Sequence, residues 1–231
     1  NLKPFVNGVL RTIAREIGDL ELPSREENEV RYLSVKYSMP EYLVEKWKAA
    51  YGVKTTEKIL EDFLTERPIT VRCRTHKASL REIVTSLKSQ GVTVEQAPYL
   101  PYALKISDYN HILTLETFLQ GKILVQDVSS MLVAEAASPK KGDHIIDMCA
   151  APGGKSIHAA DKMGDYGNVD ARDVSQYKAD LIKENIHRTG VINVEARVQD
   201  ATVYDPDSEQ AADIVIADVP CSGYGVIGKK P

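Results

Sequence analysis

Cysteine is scarce and scattered: Cys73, Cys149 and Cys221 are the only three in 231 residues. An odd number at such wide spacing supports neither a disulfide framework nor a CxxC-type zinc site, and the five dispersed histidines add no ligand cluster. No metal is expected. Long apolar runs are missing too. No stretch approaches the roughly 20 residues needed to cross a bilayer, and no signal-peptide pattern opens the chain. The expected setting is a reducing cytoplasm, away from membranes. Internal repeats and low-complexity tracts are absent as well. What remains is an ordinary globular mixture, 43% hydrophobic and 27% charged with net charge −4, long enough for one large domain or two small ones.

The acidic total hides a basic stretch, because residues 67–105 hold seven lysines and arginines against Glu82 and Glu95. Such a patch can meet a polyanion, although a solvated basic face is the plainer reading. Near the start, Phe5, Val6, Val9, Leu10, Ile13 and Ile17 recur at helical spacing. One helix cannot bury that stripe alone, so preceding structure is expected to supply its partner. From about residue 24 to 66 the pattern is helical, with Pro40 in a first turn, Gly52 as a terminator and a last helix running to Pro68. The period then changes. "ITVRCRT" alternates as a half-buried strand should, which puts Arg72 and Arg74 on the exposed face and Cys73 in the core. "SLREIVTSLKSQG" opens with the capping box Ser79 and Glu82, and "VTVEQ" and "YALKIS" read as further strands. Together they make a small α+β module.

After "PKKGD" strands alternate with helices: "HIIDMC", a helix from Lys155, "GNVDARD", a helix from about Ser175 to Thr189, "VEARV" and "ADIVIAD". That alternation predicts an α/β fold, a parallel sheet flanked by helices, with ligands at the carboxyl ends of the strands. The loop Cys149, Ala150, Ala151, Pro152, Gly153, Gly154 and Lys155 joins the first strand to its helix, and its glycines permit a tight turn. Asp173 ends the second strand about 20 residues on, where a carboxylate can accept ribose hydroxyls. Asp200 follows the third strand and Asp218 ends the fourth. Any one of these aspartates is most simply a cap or turn residue; all in phase around one crevice form a site.

Two ligands compete for the loop. "CAAPGGKS" nearly matches the phosphate-binding pattern GxxxxGK[ST], but Cys149 replaces its first glycine and Pro152 removes an amide donor. A nucleoside cofactor held by ribose and adenine contacts fits better, and S-adenosylmethionine answers that description.

"DMCAAPGGKS", "ARDVS", "VQDA" and "ADVPCSG" resemble, in order, successive motifs of the Nol1/Nop2/Sun RNA cytosine-5 methyltransferases, closest to the bacterial RsmB type that acts on 16S ribosomal RNA. The resemblance implies a Rossmann-like S-adenosylmethionine-dependent methyltransferase domain at 141–231, truncated after its fourth strand. It further implies a helical linker and small α+β RNA-binding subdomain at 21–140, and at 1–20 the last helix of a NusB-like RNA-binding domain. By the same token the cofactor is S-adenosylmethionine, held by residues 149–155, Asp173, Asp200 and Asp218. The partner is small-subunit ribosomal RNA, its phosphates met by Arg72, Arg74 and Lys77, and the protein is a monomer. In this chemistry a thiolate adds to C6 of cytosine so that C5 can accept a methyl group. The resemblance makes Cys221, with Asp218 beside it, the catalytic pair that helps the adduct collapse, and puts the attacking cysteine beyond Pro231. A piece ending there is expected to be inactive alone and to leave "ADIVIAD" with an open edge. A scaffold that keeps the fold without turnover is the competing class; it would lack the second cysteine.

Overall fold

The structure, a computed structural model, describes residues 2–19, 21–65, 68–164, 166–223 and 227. Contacts divide the chain into two units, Asn1–Glu66 with Ser222–Pro231, and Arg67–Cys221. The first unit contains helices α1 (Lys3–Glu16), α2 (Glu29–Lys36), α3 (Glu41–Tyr51) and α4 (Val53–Phe63). Asn28 caps α2 by accepting from the Arg31 amide at 3.0 Å. Leu33, Leu43, Val44 and Leu60 form its core. The last helix stops at Phe63, short of the expected Pro68. The apolar stripe of α1 is as the spacing suggested, and none of its residues is buried.

In the second unit, β1 (Ile69–Cys73), α5 (Leu80–Ser89), β2 (Thr93–Gln96), β3 (Ala103–Ser107), α6 (Glu116–Leu119) and β4 (Ile123–Val125) make an antiparallel sheet of order β2-β3-β1-β4. Ser79 and Glu82 form the expected capping box of α5. Val71, Cys73, Ile83, Leu87 and Ile106 fill the core beneath it. Then come α7 (Val128–Ala137), β5 (His144–Asp147), α8 (Gly154–Met163), β6 (Asn168–Asp173), α9 (Gln176–Thr189), β7 (Val194–Val198) and β8 (Ile214–Ile216). Their sheet is parallel with order β7-β6-β5-β8, the 3-2-1-4 order of doubly wound folds. Ile157, Ala160 and Met163 of α8 and Ile182 of α9 cover one face, against Ile145, Val169 and Ala171. β8 ends the strand order, and its Val215 is 56% exposed.

The expected exposed face of β1 is corrected. Arg72 and Arg74 are each 2% exposed, because β1 is an interior strand whose second face lies against α8 and α9. Arg72 Nη1 reaches Asp161 Oδ2 at 2.6 Å, and Arg74 grips both oxygens of Asp161 through Nε and Nη2. Arg74 Nη1 also donates to Gly121 O at 3.1 Å and Thr189 O at 2.5 Å. Arg188 of α9 lies over the Phe118 ring at 3.9 Å and donates to the Phe118 carbonyl. Backbones come very close here: a Cβ on Gly121, where φ is +64°, would stand 2.5 Å from Arg188 O. Burial alone would raise the Asp161 carboxyl, but the two guanidinia outweigh it and hold the group below its ordinary value.

Removing one member of a buried charge cluster strands the others, at a cost of about 3–5 kcal/mol. Asp161→Ala is expected to lower unfolding free energy by that amount, measured by urea unfolding. A loss under about 1 kcal/mol, the size of a surface pair, would show that the arginines are solvated.

Candidate active site

The parallel register aligns the strand ends: Asp147 pairs with Ala171 and Ile216, and Asp173 with Val198. Between β5 and α8 the loop of residues 149–153 folds back on β6. Ala150 N donates to Arg172 O at 2.8 Å, and Gly153 N closes a turn onto Ala150 O at 2.6 Å. Gly153 has φ +101°, a left-handed conformation that favours glycine, and a Cβ there would meet Ile182 Cγ2 at 3.3 Å. The Ala151–Pro152 peptide is cis, and Asn185 Nδ2 holds the Pro152 carbonyl at 3.0 Å. α8 then starts with no side-chain cap, so its positive end faces the loop.

Asp173 is the anchor of this arrangement. It is 3% exposed. Its Oδ2 accepts from Ala151 N at 3.0 Å, and its Oδ1 accepts from Val174 N at 2.8 Å and pairs with Lys178 at 3.0 Å. Burial disfavours its charge, but Lys178 and the two amides outweigh that and hold the carboxyl below its ordinary value. Asp218, largely exposed, pairs with Lys155 Nζ at 2.5 Å, which ties the end of β8 to the first turn of α8. Asp200 is exposed, and its Oδ1 accepts from the Thr202 amide and hydroxyl. Cys149 is half-buried, and burial pushes its thiol up, whereas Cys221 is exposed. Next to Asp200, a pocket of about 220 Å³ is lined by Met148, Arg172, Gln199, Ala201, Tyr204 and Asp205.

The loop residues, Asp173, Asp200 and Asp218 thus all lie at the carboxyl ends of one sheet. Lys77 is exposed, while Arg72 and Arg74 lie inside the protein. Three neighbours of these residues escaped the sequence reading. Lys178 sits in the first turn of α9, and its position five residues after Asp173 was the available signal. Asn185 carries no local signal, since it meets Pro152 only through the fold. Asp147, in "HIIDMC", is the third. It is fully buried, accepts from Ser156 Oγ at 2.7 Å through Oδ2, and its Oδ1 has no partner. Burial pushes it from 3.8 up to about 6. Among the described residues no group of three or more His, Cys, Asp or Glu is placed to hold a metal ion, and no helix is long and apolar enough to cross a membrane.

Asp147 generates a pH test. Its value in the folded chain exceeds that in the unfolded one, so its contribution to stability is full below about pH 4 and is lost as pH rises through about 6. A displacement of that size is worth roughly 3 kcal/mol. Unfolding free energies of the parent and Asp147→Asn, taken from pH 4 to 7, are expected to diverge across that window. A constant difference would show that Asp147 ionises normally.

The arrangement has relatives. A model of the family 16S rRNA methyltransferase RsmB/F matches residues 134–231, and a model of the RsmF/B-like ferredoxin-like domain matches residues 39–112. A probable ribosomal RNA small subunit methyltransferase B of Bacillus subtilis (strain 168) is 39% identical over 230 residues, 98% of this chain and 50% of its own length. A 28S rRNA (cytosine(4447)-C(5))-methyltransferase of Homo sapiens is 31% identical over 201 residues, 86% of this chain and 25% of its own. The crystal structure of PH0851 superposes with a TM-score of 0.82 at 32% identity, covering 99% of this chain and 51% of its own. The chain therefore spans about half the length of the Bacillus relative.

Proposed function

Because the chain belongs to the RsmB/F family of 16S rRNA methyltransferases, we propose that it serves an enzyme that methylates C5 of a cytosine in small-subunit ribosomal RNA. The observation that carries this reading is the convergence of the 149–155 loop, Asp173 and the Lys155–Asp218 pair at the carboxyl ends of β5, β6 and β8. The residues suit a nucleoside cofactor. A carboxylate offers about four lone-pair sites, and Asp173 spends three on Ala151, Val174 and Lys178. One ribose hydroxyl can be accepted on Oδ2 directly, and a second once the half-exposed Lys178 swings away. The loop from Cys149 to Gly154 holds the amino-acid end, with Lys155 close by, and Asp200 and the adjoining pocket take the adenine end. S-adenosylmethionine bound there would supply an electrophilic methyl group.

The protein's own groups then do the following work. Asp218, set by Lys155, orients the cytosine through its amino edge. A thiolate adds to C6, which makes C5 electron-rich; after methyl transfer a base takes the C5 proton and the thiolate leaves, which restores the ring. Cys221, three residues past Asp218, assists that last step, and a different cysteine attacks. With Arg72 and Arg74 buried, Lys77, Arg81 and Lys88 are exposed cations among the described residues of the 67–105 stretch that can meet phosphates, by contacts that weaken with salt. The target cytosine must leave its stack to be reached.

Two measurements test the reading. Asp173→Ala is expected to weaken S-adenosylmethionine binding ten- to a hundredfold, about 1.5–3 kcal/mol for a charge-assisted hydrogen bond. Unchanged affinity by calorimetry in a folded variant would remove Asp173 from the site. Cys221→Ala in the intact protein is expected to accumulate a protein–RNA adduct that survives a denaturing gel. If the variant binds both ligands yet shows no adduct where the parent is active, Cys221 is not the release residue.

A further inference from the structure

Arg72 holds α8 in two places. Directly, its Nη1 reaches Asp161 Oδ2 at 2.6 Å. Indirectly, its Nε donates to Gln126 Oε1 at 2.8 Å, and Gln126 lies against the opposite end of the same helix. A Cβ on Gly154 would stand 3.8 Å from Gln126 Cδ and 4.0 Å from Cγ, so the amide rests on the bare side of the first residue of α8. Gly154 and Asp161 are separated by about 10 Å of helix at ~1.5 Å per residue. One guanidinium therefore braces both ends of the helix that begins at the cofactor loop.

Gln126 is itself immobilised. It is 6% exposed, and its backbone N donates to Thr70 O at 3.1 Å, continuing the β1–β4 ladder past Val125. Packing alone does not explain this side chain. Gln126 Nε2 and Arg72 Nη2 are both buried without a hydrogen-bond partner, so the glutamine is kept although its amide leaves polar groups unsatisfied. What the glutamine provides is a rigid link from Arg72 to the first turn of α8.

We infer that Gln126 is a positioning residue for the cofactor loop: it transmits the fixed location of Arg72 to Gly154 and so sets where the backbone of residues 149–154 stands relative to Asp173. The inference rests on the reading of that loop as a cofactor cradle. In the intact protein, Gln126→Leu keeps an apolar stem of similar size but cannot accept from Arg72. Its Kd for S-adenosylmethionine by calorimetry, and its KM for the same cofactor, are expected to rise about tenfold, while kcat at saturating cofactor and KM for RNA stay within about twofold. Gln126→Glu, with the acceptor at the same reach, is expected to restore cofactor affinity to within about threefold. Should Gln126→Leu not fold, Gln126→Asn is read in the same way, since it keeps the amide but draws it back from Gly154.

A variant with a lowered unfolding midpoint and an unchanged cofactor Kd would overturn the inference and leave Gln126 as a packing residue. Equal losses in Gln126→Leu and Gln126→Glu would also overturn it, because the acceptor would then not matter. If the unaltered protein binds no S-adenosylmethionine, the reading of the site falls first. With that binding established, only the role of Gln126 is at stake.

Discussion

The second unit depends on one carboxylate. Asp161 stands on α8, two turns from the 149–153 loop, and accepts from Arg72 and Arg74 of the antiparallel sheet. Three ionised groups in so dry a place are tolerable because the carboxylate pairs with both guanidinia, and Arg74 spends Nη1 on the carbonyls of Gly121 and Thr189. The consequence is geometric. The antiparallel sheet and the parallel sheet meet through directional bonds with fixed donor angles, so the helix that begins at the loop is held in place.

Around that helix the same residue type behaves in three ways. Asp147 is buried with one oxygen unpaired, so its proton is held to about pH 6. Asp173 is nearly as buried, but a lysine and two amides keep it ionised. Asp218 is largely exposed and meets Lys155 directly. Environment decides each case: burial with too few donors favours the neutral form, burial with a cation and two amides favours the charge, and exposure leaves the partner to set direction. Asp173 is thus both charged and fixed, the state that suits the ribose acceptor proposed above. The loop backbone and Asp173 are also bonded to each other, through Ala151 N, so their spacing is fixed within the fold.

Periodicity and punctuation alone determined a good deal about this protein. The change from period two to alternating strand and helix separated the two sheets. The capping box at Ser79, the glycines of the loop and the aspartates at the strand ends are local signals whose meaning depends on a few neighbouring residues. They put the candidate residues at the carboxyl ends of the parallel strands, where the structure has them, and four motifs in order pointed to the family. Cys73 was legible as a core thiol for the same reason, since one strand's alternation names the side of the sheet on which it lies.

Alternation does not say whether the second side of a strand meets water or another domain. Arg72 and Arg74 looked solvent-facing because a lone strand with charges on one side usually is, and only the docking of α8 and α9 turned that side inward. The partners of the site's side chains were equally hidden: Asn185 to Pro152, Lys155 to Asp218 and Gln126 to Gly154 join residues 28 or more positions apart. Local sequence sets the backbone conformation of each segment and the chemistry that it carries. Which donor meets which acceptor across the chain follows from how the segments close-pack. Burial, and with it ionisation, was therefore decided by the tertiary structure.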